Sequence, residues 1–246
     1  MIKVSIRSDI DSIINTLNEA QKKQVPFAIA KTLTGLAQKI KAAEVQEMEK
    51  VFDRPTRFTL NSLFLKAATK VKPLAIVGLK EYAMKGTPAT KYLAPQIAGG
   101  ERRLKGFEVL LNRRGILPDG YYTVPAKRAR LDRHGNISKG LLNQILSYSR
   151  AQRDNAQNTK LSTGRRSTKA RFIVLDEKGG KPGGIWAITS DSRIYPVLIF
   201  VKSTRYAKRF DFLRTAEVIY KKNAVKDFER ALTHAMTTAT RKRGSS

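Results

Sequence analysis

The chain has 246 residues, and 48 lysines and arginines against 20 aspartates and glutamates give a formal net charge of +28. Hydrophobic residues make up 41% of the sequence, which is enough for a folded core and argues against a disordered basic tail. There are no cysteines, which excludes disulfides, thiolate metal sites and cysteine nucleophiles.

The N-terminal part of the chain is predicted to be mainly helical. Residues 2–7 alternate apolar and polar side chains, as a short half-buried strand does. Apolar residues recur at helical spacing over 9–24, and Pro26 stands at a favourable first-turn position for a second helix running to about Lys50. The sequence therefore predicts two successive helices after one strand.

The next hundred residues show mixed patterns. Residues 58–65 fit either a short helix capped by Thr56 or Thr59 or the start of a strand. Residues 74–79 are continuously apolar and predict a buried strand. Glycines and prolines at intervals predict an extended loop over 84–100.

The middle region is predicted to contain two helices and a strand. Helical spacing covers 101–113, with Gly115 as the C-terminal cap, and a short strand covers 121–124. Ser138 is expected to cap a further helix. Residues 150–170 are polar, small and basic without apolar periodicity, which predicts a mobile basic loop.

The C-terminal part is predicted to hold a sheet and a long helix. A hairpin is predicted from residues 171–175 and 184–188. A third strand is predicted over 195–201, and because it is apolar on both faces we expect it to be central. A long helix is expected over 210–238. We predict an α+β fold with N-terminal helices, a small antiparallel sheet and a long C-terminal helix, forming one domain over 1–246.

Recognisable catalytic patterns are missing from the sequence. It contains neither G-x-G-x-x-G after a strand nor a G-x-x-x-x-G-K-[ST] phosphate loop, and its histidines, His134 and His234, are far apart. A metal-dependent nuclease would have to use Asp132, Asp176 or Glu177, and no D-x-D or paired-glutamate spacing supports that. We therefore predict a non-enzymatic protein without cofactor or metal.

Basic clusters recur without acidic residues beside them, and so much self-repulsion predicts an anionic partner. No helix-turn-helix, zinc finger or basic zipper is recognisable, so nucleic acid would be contacted through its backbone charge, independently of base sequence. The alternative is that these residues pair with acidic protein surfaces. The candidate DNA-facing residues are Arg102, Arg103, Arg113, Arg114, Lys127, Arg128, Arg130, Arg165 and Arg166.

The sequence gives no sign of a membrane or export signal. No apolar run approaches the roughly 20 residues that span a bilayer, and the alternating start lacks the continuous apolar stretch of a signal peptide. We expect synthesis in the cytoplasm and no membrane partner.

Several segments resemble phage head–tail joining proteins of the minor tail protein Z type, also called tail-completion or neck proteins. The resemblance is carried by residues 25–33, which lead into an alanine-rich helix, by 52–59, and by the strand 196–202. It continues into the terminal helix with Phe228 and Leu232, and it covers the two ends better than 85–170.

The resemblance implies a structural virion protein at the head–tail junction, forming a homo-oligomeric ring around the DNA channel. The implied partners are portal or adaptor proteins, tail-tube or tail-terminator proteins, and packaged DNA. The helices with alanine faces are the expected subunit contacts, with candidate residues Phe27, Leu33, Leu36, Ile40, Phe228 and Leu232. The alternative is a free, sequence-independent nucleic-acid-binding protein packaged with or bound to a genome.

Overall fold

The computed structural model describes residues 3–7, 19–84, 86–158, 171–178 and 182–243. Contacts divide the chain into a first unit, Met1–Gly99 with Lys208–Ser246, and a second unit, Gly100–Ala207. The single domain expected over 1–246 stays a prediction, because compactness alone does not decide whether two units fold together. Of the basic loop predicted over 150–170, residues 159–170 lie outside the described residues.

The predicted α+β class is confirmed, with small antiparallel sheets and a long C-terminal helix. The described residues form seven α-helices: α1 Glu19–Val51, α2 Arg57–Leu60, α3 Ala89–Tyr92, α4 Ala94–Ala98, α5 Gly106–Arg113, α6 Lys139–Tyr148 and α7 Phe212–Arg243. Their strands are β1 Lys3–Arg7, β2 Leu63–Lys66, β3 Leu74–Leu79, β4 Gly100–Glu101, β5 Tyr122–Pro125, β6 Arg171–Leu175, β7 Gly184–Ile188, β8 Ile194–Val201 and β9 Arg205–Tyr206.

The predicted start of a new helix at Pro26 is wrong, because α1 continues through this residue. A proline removes one helical hydrogen-bond donor and crowds the preceding turn. Here the neighbouring Val25, Ala28 and Ile29 are all buried, so tertiary packing holds the helix together across the proline. Residues 8–18, which include most of the first predicted helix, lie outside the described residues.

The two long helices form the framework of the first unit. They run antiparallel, since Ala28 of α1 packs with Ala231 and Ala235 of α7 while Lys39 meets Asp227 further along. The small alanine side chains allow the two backbones to approach closely. The predicted alanine-rich helix face is therefore used within the chain.

A three-stranded antiparallel sheet in the order β1-β3-β2 packs against α1 in the same unit. The predicted buried strand over 74–79 matches β3, in which Ala75, Val77 and Leu79 are buried. The alternating start of the chain pairs with it as β1, where Val4 faces Val77 in register.

The ambiguous segment 58–65 contains both of the structures that its pattern allows. Thr56 caps α2, where its hydroxyl accepts from the N–H of Thr59 at 3.2 Å, and β2 follows. The loop predicted over 84–100 is wrong in part, because α3 and α4 lie within it. Pro95 stands in the first turn of α4, a position where proline favours a helix.

The second unit is built on a four-stranded antiparallel sheet in the order β5-β8-β7-β6. This order confirms the hairpin of β6 with β7 and the interior position of β8. Helices α5 and α6 contribute Leu111 and Ile145 to a core shared with Ile185 and Leu198 of the sheet. A Cβ on Gly184 would lie well inside van der Waals distance of the Leu198 carbonyl oxygen, so this strand position requires glycine.

The predicted caps of the second unit are confirmed, but one helix is shorter than its pattern. Ser138 caps α6 by accepting from the N–H of Leu141 at 3.2 Å, and Gly115 ends α5 with φ +69°. The helix predicted from 101 begins at Gly106 instead, because Glu101 belongs to β4, which pairs with β9.

Candidate interaction surfaces

Seven of the nine candidate DNA-facing residues are described, and all seven lie in the second unit. Six of them are exposed and make no ion pair within the described part of the chain: Arg103, Arg113, Arg114, Lys127, Arg128 and Arg130. Arg165 and Arg166 lie outside the described residues. We call the six exposed residues the basic set.

Two members of the basic set stand at the C-terminal end of α5. Arg113 is the last helical residue, and Arg114 is its cap. The partial negative charge of a helix C-terminus stabilises cations there. The Arg114 guanidinium also donates to the side-chain oxygen of Asn155 at 3.1 Å, which holds this arginine against a neighbouring short helical turn while it stays exposed.

Three further members follow β5 in a turn anchored to the sheet. The buried Ala126 donates its N–H to the carbonyl of Val197 at 3.0 Å. Lys127, Arg128 and Arg130 follow that anchor and are exposed. The local backbone is therefore fixed to β8 while three cations remain in solvent, the arrangement that phosphate contact through charge requires.

Arg102 differs from the basic set because its guanidinium is engaged by Glu108. The two guanidinium NH₂ groups lie 2.6 Å from the two carboxylate oxygens, and 10% of the Arg102 side chain and 0% of the Glu108 side chain are exposed. A two-pronged pair of this kind is strong and geometrically specific. Arg102 thus serves the fold of the second unit, and its paired, largely buried guanidinium is not part of the basic set.

The Glu108 carboxylate has further donors. The N–H and the hydroxyl of Thr123 each donate to it at 2.8 Å, and the N–H of Lys105 donates at 2.5 Å. Burial alone would raise the pKa of Glu108, but these bonds and the bond from Arg102 hold it below its usual value. Glu108 stands three residues after the N-cap Lys105 and accepts from its N–H, as the glutamate of a capping box does, but in sequence it lies inside the longer helix predicted over 101–113 and is not marked by a serine or threonine cap.

The six candidate subunit-contact residues are already covered, fully or in part, within the first unit. Leu33, Leu36 and Ile40 are buried in the core that includes β3. Phe27, Phe228 and Leu232 are half-buried around the alanine contact of α1 and α7. Apolar side chains at helical spacing identified a core face, and the same pattern in sequence cannot separate a core from a subunit contact.

An open groove of about 780 Å³ runs along α1 and α7 in the first unit, closed on one side by residues 67–70. We call it the α1–α7 groove. Small residues line it, among them Ala30, Gly35 and Ala231. The N–H of Ala68 donates to the Thr34 hydroxyl at 3.1 Å, which ties the bordering segment to α1.

The charges along this groove are almost all positive. Asp227 is its one acidic lining residue in the described chain, and it is paired with Lys39 at 2.6 Å. Lys31, Lys70 and Arg230 also line it, and all three are exposed and without an ion pair among the described residues. Lys70 lies 5.2 Å from the centre of the Phe27 ring, so a cation is held above the aromatic wall.

Glu44 is a second fully buried carboxylic acid, and it lies in α1 of the first unit. Its exposed fraction is 0%, and neither carboxyl oxygen has a hydrogen-bond partner within the described chain. Burial raises the pKa of Glu44 to about 9, and the nearby charges of Glu47 and Asp211 add to the effect. The group is therefore neutral at pH 7.

The residues considered for a metal-dependent nuclease are not brought together. In the part of the chain that the structure describes, no three His, Cys, Asp or Glu side chains are grouped as metal ligands would be. The Asp132 carboxylate accepts from the N–H groups of Asn136 at 2.9 Å and His134 at 2.8 Å. These bonds hold its pKa below the usual value and assign it to a turn.

None of the described helices combines the length and apolar character needed to cross a bilayer. No protein-family model, no curated protein and no solved structure matches this chain.

Proposed function

We propose that this chain is a structural virion protein at a phage head–tail junction, where copies form a ring around the DNA channel. The observation that carries the proposal is the basic set: six exposed cations on a folded body, none of which makes an ion pair within the described chain. A duplex in a channel presents phosphates on all sides, so a ring wall needs charge and no base-reading element.

The net charge of +28 supports the same role. A freely diffusing monomer with this charge would repel itself and bind polyanions at random. In a ring, the repulsion between copies is offset by the enclosed DNA and by acidic surfaces of portal, adaptor or tail proteins. We propose these as the partners, together with the packaged genome.

Exposed apolar residues of α7 are the candidate contacts between neighbouring copies in such a ring. Leu213, Val218, Tyr220 and Val225 are 60, 56, 43 and 70% exposed. Leu213 and Tyr220 are seven residues apart, as are Val218 and Val225. The two members of each pair therefore lie on the same side of the helix. We propose them in place of the six residues selected from sequence, which are at least half covered within the chain.

The test is to locate the protein in assembled particles. Electron microscopy of purified virions, with a tag on this chain, is expected to show a ring of density at the neck. Density in the capsid shell or tail fibres, or absence of the tagged chain from intact particles, would overturn the proposal.

A free nucleic-acid-binding protein is the second candidate, and the same basic set favours it. Binding of the isolated chain to duplex DNA at low and high salt separates the two. Tight, salt-sensitive binding by the monomer supports the free binder. Weak binding by the monomer, with DNA retained only by assembled rings, supports the connector.

A further inference from the structure

We propose that the α1–α7 groove of the first unit binds an acidic amphipathic helix of another protein. This inference goes beyond the virion ring, because it concerns a protein partner and a surface that carries none of the basic set. It stands or fails independently of where the chain is found.

The shape of the groove suits a helix. It is an open channel of about 780 Å³ between two long helices, with Ala30, Gly35 and Ala231 among its lining. Small residues let a third backbone approach α1 and α7 closely. A Cβ built on Gly35 meets no atom within 4 Å, so the space above this residue is empty within the described chain. An amphipathic helix lying in such a groove buries its apolar face.

The charge of the groove selects the sign of the partner. Lys31, Lys70 and Arg230 line it without ion pairs in the described chain, and its single acid is neutralised by Lys39. At this groove a second copy of the chain is disfavoured, because it would bring a net charge of +28 against cations that have no ion pair, and the contacts proposed between copies in the ring use other residues of α7. Carboxylates flanking the apolar face of an incoming helix would reach these three cations instead.

The chemistry of the groove also favours a protein over a nucleic acid. Phosphates need charge and hydrogen-bond donors, whereas the lining here combines alanines, a glycine and the Phe27 ring with cations at the edge. An apolar centre with a charged rim is the anatomy of a protein interface. The basic set of the second unit lacks such an apolar centre and remains the proposed DNA surface.

The experiment uses the full chain and a fluorescein-labelled designed helix with leucines on one face and glutamates on the other. Fluorescence anisotropy is expected to show saturable binding with a Kd of about 100 μM or tighter. The same peptide with its leucines scrambled, a peptide with lysines in place of glutamates, and a short duplex DNA are measured alongside. Of these four probes, only the acidic amphipathic helix should bind through the groove.

Two variants test the location. Gly35→Phe fills the empty space and is expected to weaken peptide binding at least tenfold while leaving DNA binding unchanged. Arg230→Glu should weaken peptide binding by a similar factor. Lys226→Glu changes the same charge one turn earlier on α7, at an exposed position outside the groove, and should have less than a twofold effect.

The proposal is overturned if no peptide binds, if the scrambled peptide binds equally well, or if Gly35→Phe binds as tightly as the unaltered chain. Displacement of the peptide by duplex DNA from the unaltered chain, with loss of DNA binding in Arg230→Glu alone, would assign the groove to nucleic acid instead. Circular dichroism and thermal unfolding of each variant verify the fold. Should Gly35→Phe fail to fold, Gly35→Gln and Lys31→Glu replace it.

Discussion

Among the described residues, each of the two units buries one carboxylic acid completely, and the two acids are held in opposite ways. In the second unit, Glu108 is met by Arg102, by Thr123 and by a backbone N–H, and it stays ionised. In the first unit, Glu44 has no partner in the described chain and is neutral, with a pKa of about 9. Burial alone therefore does not decide whether an acid supports a fold, because the hydrogen-bond donors around it determine whether its pKa is lowered or raised.

Removing the charge of Glu108 should have the largest effect on stability. Glu108→Gln leaves the Arg102 guanidinium, 10% exposed, without its counter-charge, and we expect a loss of about 3 to 5 kcal/mol in the free energy of unfolding. Urea denaturation at pH 7 measures it. Arg103→Gln, an exposed neighbour, is the control and should change stability by less than about 0.5 kcal/mol.

The pH dependence gives a second readout of the same pair. The folded-state pKa of Glu108 is lowered, so its contribution is fully present above the unfolded-state pKa and is lost as pH falls through the folded-state value. The unaltered chain should lose stability below the ordinary glutamate range, and Glu108→Gln should lose less. If the free energy of unfolding fell equally at acid pH in the two proteins, this role for Glu108 would be contradicted.

Two glycines extend the comparison from charge to packing. Gly184→Ala in the second unit forces a Cβ against the Leu198 carbonyl, and we expect a loss of about 1 to 3 kcal/mol. Gly35→Ala in α1 of the first unit meets open space and should gain up to about 1 kcal/mol from helix propensity. Thermal unfolding of both variants tests these two predictions. A gain of stability in Gly184→Ala, or a loss in Gly35→Ala, would be inconsistent with the space measured around each glycine.

Glu44→Gln should stabilise the first unit near pH 8, because folding of the unaltered chain must protonate Glu44, at a cost of about 1.4 kcal/mol for each pH unit above the unfolded-state pKa. The folded-state pKa of Glu44 is raised to about 9, so stability is fully present below the unfolded-state pKa and falls as pH rises towards 9. The amide does not titrate, so its cost of burial is the same at every pH. Urea denaturation between pH 5 and pH 9 is expected to show a declining stability for the unaltered chain and a flatter profile for the variant, with exposed Glu49→Gln as the control.

The smallest effect is expected from the exposed cations after β5. Replacing Lys127, Arg128 and Arg130 by glutamine should reduce the slope of log K against log salt for duplex DNA by roughly 2 to 3. Folding should be unaffected, because all three side chains are exposed. Replacing Lys221, Lys222 and Lys226 of α7 is the matched control. An unchanged slope after the first substitution would exclude the turn as part of the DNA surface.

The elements that could be predicted from sequence are those whose signal is local. The continuous apolar run of 74–79 predicted β3, and the glycine-rich segment between two apolar runs predicted the hairpin of β6 with β7. Ser138 predicted the cap of α6. Of two errors, one arose where tertiary packing overrode a local rule, and the other where the preference of proline for a first helical turn was not applied. Pro26 stays within a helix because its neighbours are buried, and Pro95 begins a short helix where intermittent prolines had suggested a loop.

The candidate surfaces could be predicted only in part. Basic doublets identified exposed cations correctly at Arg113 and Arg128, but the same doublet pattern also included Arg102, whose partner is six residues away in sequence. The α1–α7 groove left no trace in sequence, because its lining comes from 27–39, 67–70 and 227–234. A surface assembled from distant segments has no periodicity to detect.

By itself, the sequence determined the α+β class, the strand order of the hairpin and the excess of positive charge, because propensity, periodicity and charge are properties of neighbouring residues. Only the tertiary structure decided which cations are free, which apolar helix face is core, and that one buried acid is ionised while the other is neutral. These outcomes depend on what lies opposite a side chain, and residues far apart in sequence supply much of it.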